Sequence, residues 1–90
     1  MDHLQKVIID IDLSILGSDP QTYDTFEINI RKEYSHVNEL EFLAGRSSIL
    51  NGFLSRHRIF YTDFFHNKFE HSARANLERT IQKYKKRDKQ

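Results

Sequence analysis

Residues 3–17, His-Leu-Gln-Lys-Val-Ile-Ile-Asp-Ile-Asp-Leu-Ser-Ile-Leu-Gly, decide how this chain is to be read. Leu4, Ile8, Ile11 and Ile15 fall on one helical stripe, and Ile9, Leu13 and Leu16 on a second. The spacing predicts a helix from about His3 to Leu16, apolar over most of its circumference and so expected to be covered on several sides. Gly17 is expected to stop it in the left-handed conformation that glycine adopts freely. Asp10 and Asp12 interrupt the apolar surface, and carboxylates are seldom buried unless paired or metal-bound. Standing about 200° apart around a helix, the two cannot share one face, so at most one points at any single site. The plainer alternative leaves both at a solvated margin. The string also begins like a calcium-binding EF-hand loop, but Ile15 stands where that loop needs glycine and Gln21 where it needs glutamate.

Beyond Gly17 the helical period continues. Ser18 with Gln21 reads as a capping box, and Pro20 suits a first turn. Tyr23, Phe26, Ile30, Tyr34 and Val37 then follow at helical spacing, to about His36. Asn38 with Glu41 reads as a second box, opening a helix to about Ser55 whose buried faces are Leu43, Leu50 and Leu54 beside Phe42, Ile49 and Phe53. Gly45 and Gly52 each cost that helix about 1 kcal/mol against alanine, which points to close helix approach or a nearby ligand. Residues 56–62 break the period. Thr62 caps a last helix lined by Phe65, Phe69, Ala73, Leu77, Ile81 and Tyr84. The expectation is an all-α domain over residues 1–90, about four helices in a small bundle, with no strand and with residues 83–90 a frayed basic tail.

Composition narrows the function. Leu, Ile, Val and Phe make up 26 of the 90 residues, enough for a core. The absence of cysteine removes disulfides, thiolate zinc sites and cysteine nucleophiles. No apolar run approaches a membrane span, and Asp2, Asp10 and Asp12 are unlike a signal peptide, so a cytoplasmic protein is expected. Residues 1–69 carry 7 basic and 10 acidic side chains, residues 70–90 carry 7 and 3. The terminal excess could meet nucleic acid, but only Tyr84 interleaves it with an aromatic ring, which argues against that partner. None of the five histidines pairs with another at metal-binding helical spacing, and no phosphate-cradling glycine loop is present. Arg46, and Arg58 in the loop, are candidate phosphate-binding groups, with bracing of carboxylates such as Glu33 the equal alternative.

Asp10-Ile-Asp-Leu-Ser-Ile-Leu-Gly17, Tyr23, Ile30-Arg-Lys-Glu-Tyr-Ser-His-Val37, Ala44-Gly-Arg46, Ile49-Leu50, Phe53-Leu54, Arg58-Ile-Phe-Tyr-Thr62 and Ala73-Arg-Ala-Asn-Leu77 together resemble a family of metal-dependent HD-superfamily phosphohydrolases. The resemblance covers about residues 8–81 and only the carboxy-terminal half of such a protein. It implies the last part of an HD-domain fold, in which the Asp-x-Asp-Leu segment supplies the final metal-ligating aspartate: Asp12, with Asp10 the alternative. The histidine and the His-Asp dipeptide that complete the family's divalent-metal site have no counterpart among these residues. One carboxylate does not hold a catalytic metal, so the chain alone is expected neither to bind metal tightly nor to hydrolyse phosphate esters. The first helix would then need another cover, either a second copy (a homo-oligomer) or a separate complementary amino-terminal half. Three readings follow: a fragment or remnant of a phosphohydrolase, a non-enzymatic helical self-association module, and, last, a nucleic-acid binder using residues 79–89.

Overall fold

The computed structural model describes residues 1–88, and among them the chain is entirely helical, with no strand: α1 (His3–Leu13), a 3-10 turn (Ser14–Gly17), α2 (Pro20–Glu33), α3 (Glu39–Leu54) and α4 (Asp63–Asp88). Local chemistry sets most of these ends. Asp2 and Gln5 form a reciprocal capping box at the start of α1. Asn38 Oδ1 accepts from the amides of Leu40 and Glu41, which opens α3. Thr62 Oγ1 accepts from the Phe65 amide at 3.4 Å, as expected of the cap of α4. Pro20 sits in the first turn of α2. The cap there is Asp19, not Ser18: Asp19 accepts from the Thr22 amide and hydroxyl, while Ser18 Oγ turns back to the Ile15 carbonyl. The Asp19 carboxyl is accordingly held below its ordinary range, first by the Thr22 hydroxyl.

The core lies where α2, α3 and the 3-10 turn meet α4, and it also takes in two loop residues. Tyr23, Leu50, Ile59, Phe60, Ala73 and Leu77 are sealed from solvent, with Leu16, Leu43, Phe42, Ile81 and Tyr84 close behind. Tightening of the chain after Leu13 into a 3-10 turn ends the α-helix three residues early and pushes Leu16 into this core. Gly17 is needed there for space and not for handedness. None of the described glycines has positive φ, and a Cβ at Gly17 would lie 2.7 Å from the Phe69 Cβ and 2.9 Å from the Phe69 carbonyl oxygen. Asn76 completes the seam by donating to the carbonyls of Leu16 (2.9 Å) and Ser18 (2.8 Å). Gly45 and Gly52 correct the other glycine expectation: a Cβ at either would meet nothing within 4 Å, so no helix approaches closely at those positions.

One further expectation changes. The first helix is not covered on several sides. Asp10 is its only buried residue, and Leu4, Ile8 and Ile11 are 67, 49 and 54 % exposed. The bundle meets α1 along a single side, and nothing in the described chain packs on the other. At the basic end α4 runs to Asp88, Tyr84 is buried in the core, Lys83 reaches Asp24 and Arg87 pairs with Glu39. Residues 89 and 90 of that expected tail lie outside the described residues. No helix among the described residues is long and apolar enough to cross a membrane.

Candidate functional site

The two aspartates of α1 separate as their spacing requires. Asp10 faces the bundle and is fully buried; Asp12 is exposed. Asp10 Oδ1 accepts from the Tyr61 amide at 2.8 Å, and Oδ2 accepts from the Thr62 amide at 2.8 Å and the Thr62 hydroxyl at 2.7 Å. A buried carboxylate is tolerable only with such compensation, and three donors supply it without a cation. The reading that leaves both aspartates at a solvated margin therefore fails for Asp10.

A second buried carboxylate extends the same arrangement along the loop. Glu70 accepts from the amides of Ile59 (3.0 Å) and Phe60 (3.2 Å), so four successive loop amides, 59–62, end on two side chains. Arg74 anchors the preceding segment by donating to the carbonyls of Leu54 (3.0 Å) and Arg56 (2.6 Å), and it pairs with Glu70 at 2.8 Å. Burial works to raise the Glu70 pKa, but the Ile59 and Phe60 amides, Arg74 and His66 outweigh it and hold the carboxyl below its usual value. Glu70 is visible in the sequence only as an i,i+4 partner of His66, a spacing that reads as a surface contact, whereas the structure buries it with His66 at 3.3 Å; Arg74 does not stand out. Their four-residue separation on α4 was visible, but their loop partners lie 10 to 20 positions away.

The candidate phosphate-binding arginines are braced by carboxylates, though not by Glu33. Arg46 holds Glu27 through Nε (3.0 Å) and Nη2 (2.9 Å), and both side chains are largely buried. Tyr23 and Tyr84 also donate their hydroxyls to Glu27. Burial, with the Glu27 charge, drives both phenols upward, Tyr84 to about 12. Burial works to lower the Arg46 pKa, but its bonds to Glu27 prevail and raise it. Arg58 is more open: it reaches Asp63 (3.1 Å) and the Thr62 carbonyl (3.3 Å), and its Nε is buried without a partner.

Asp12 stands apart from these groups. Positions 4, 8, 11 and 12 all lie on the side of α1 turned away from the bundle, so this carboxylate sits at the edge of an uncovered stripe of Leu4, Ile8 and Ile11. Among the described residues no group of three His, Cys, Asp or Glu side chains could hold a metal ion. The described residues therefore assemble no set of the three or so protein ligands that a resident divalent metal needs. Compared with models of known protein families, with curated proteins and with solved structures, the chain matches none.

Proposed function

We propose that this chain is the carboxy-terminal part of a metal-dependent HD-type phosphohydrolase, with Asp12 as the carboxylate it contributes to a divalent-metal site completed by another polypeptide segment. The observation that carries the reading is the setting of Asp12 at the edge of the uncovered apolar stripe of α1, beside residues that solvent should not reach in the finished assembly. Asp10 is committed to Tyr61 and Thr62, which leaves Asp12 the carboxylate with free oxygens. The order of residues that resembles the phosphohydrolase family, from Asp10 to Leu77, supplies the chemistry. In this reading the covering segment brings the histidine and His-Asp ligands, and the chain alone is inactive. Arg58, whose guanidinium is partly exposed and paired only with the exposed Asp63, is the better placed of the two arginines to steady a phosphate oxygen, because Arg46 is consumed by Glu27.

The test is co-expression with whatever the genome encodes immediately upstream. The reading expects that segment to carry a His…His-Asp pattern, to co-purify with this chain, and to bind manganese in a manner that Asp12→Ala abolishes. Unchanged manganese affinity of the Asp12→Ala pair would defeat it. The second reading, a non-enzymatic self-association module, rests on the same exposed stripe and expects an oligomer indifferent to metal.

A further inference from the structure

A groove of about 280 Å³ opens between α2 and α4, on residues that the α1 stripe and the loop 55–62 do not share. Its floor is apolar: Phe42 and Tyr84 are nearly buried, and Ile28 stands half-exposed beside them. Its rim is cationic, with Arg31, Lys32, Lys83 and Arg87 set against Asp24 and Glu27. The two carboxylates are already spoken for. Asp24 is shared by Arg79 at 2.7 Å and Lys83 at 3.4 Å, and Glu27 is held by Arg46. Arg79 chiefly, by hydrogen bond and charge, keeps the Asp24 carboxyl below its ordinary range. Glu39 balances Arg87.

Arg31 lies over the Phe42 ring at 4.8 Å and gives its hydrogen bonds to the carbonyls of Tyr34 and Val37, which do not neutralise it. Lys32 meets no carboxylate among the described residues. Counting the rim with its ion-pair partners, six cations face three anions, a local excess of three in a chain whose net charge is +1. An apolar slot of this size with a few convergent charges has the form of a small-ligand site.

We infer that this groove binds a small organic anion with a flat apolar body, the ring lying on Ile28 and Tyr84 against the Arg31–Phe42 stack and the anionic head, phosphate or carboxylate, meeting Lys32 and Lys83. The site contains no part of the Asp12 face and does not depend on the phosphohydrolase reading. Titration of the ¹⁵N-labelled chain with 1-naphthyl phosphate tests it, with 1-naphthol, inorganic phosphate and 1-naphthoate as separate arms. The expected result is saturable shifts at the amides of Ile28, Lys32, Thr80 and Lys83, about tenfold tighter than for 1-naphthol or inorganic phosphate. Lys32→Glu, at an exposed position, weakens binding by a similar factor without moving the melting temperature, and Asp12→Ala leaves it unchanged. Naphthoate binding equal to naphthyl phosphate assigns the site to organic anions at large; weaker binding assigns it to phosphate heads. Shifts confined to Leu4, Ile8 and Ile11, naphthol binding as tightly as its phosphate, or no saturation would each overturn the inference.

Discussion

Asp10 and Thr62, 52 residues apart, are joined twice over: one carboxylate oxygen accepts both the amide and the hydroxyl of Thr62. The same hydroxyl also accepts from Phe65 as the cap of α4, so α1 and the start of α4 share one hydrogen-bonded corner. Removing the carboxylate leaves donors at Tyr61 and Thr62 without their partner in a part-buried site. Asp10→Ala is therefore expected to cost about 3 kcal/mol or more in urea unfolding, since hydrogen bonds to charged groups contribute about 1.5–3 kcal/mol each. Asp12→Ala, two residues on but exposed, is expected to change stability by less than about 0.5 kcal/mol. Equal effects would mean that the corner does not hold the fold.

The glycines separate in sign. Gly17→Ala forces a Cβ against the Phe69 backbone and is expected to cost about 1–3 kcal/mol. Gly45→Ala and Gly52→Ala fill open space on α3 and are expected to stabilise by up to about 1 kcal/mol each. Thermal melts of the three variants check both signs.

Of the carboxyls held below their ordinary range, Glu70 is the buried one through which acid acts on the loop. Its folded pKa lies below the ordinary 4.5, so its contribution is fully present above that value. As the pH falls below 4.5, the unfolded chain takes up the proton first and the contribution is lost through the folded pKa. Glu70→Gln is expected to cost more stability at pH 7 than at pH 3, measured by urea unfolding at both. An equal loss would show that the Ile59 and Phe60 amides do not act on the charge.

At the buried Arg46–Glu27 pair, truncating one partner is the severe change. Arg46→Ala strands the Glu27 carboxylate and is expected to cost about 3–5 kcal/mol. Adding Glu27→Gln keeps an acceptor for the Tyr23 and Tyr84 hydroxyls and is expected to recover part of that loss. A double-mutant cycle reads the coupling directly.

Helix number, the loop at 56–62 and the Thr62 cap were legible because each depends on neighbours within a few residues: apolar spacing, or an oxygen three positions before an amide. The Ser18–Gln21 box is the wrong cap, although the signal for Asp19 is in the sequence: proline favours the first helical position and so points to the residue just before it. What one sequence could not convey is pairing across the fold. Asp10 needs Tyr61 and Thr62, Asn76 needs Leu16 and Ser18, and Gly17 needs Phe69; each partner is more than 50 residues away. The all-round apolar character of residues 3–16 was likewise visible, but not which side the bundle would leave bare.

Light scattering on the intact chain, with and without excess manganese, tests the central claim that the α1 stripe carrying Asp12 is an unfinished interface. The account predicts a mass above the 10.8 kDa of one chain, returned to that value by Ile8→Glu on the stripe and unchanged by manganese, because the completing ligands belong to the covering segment. A single species of 10.8 kDa at every concentration, unaltered by Ile8→Glu, would contradict it.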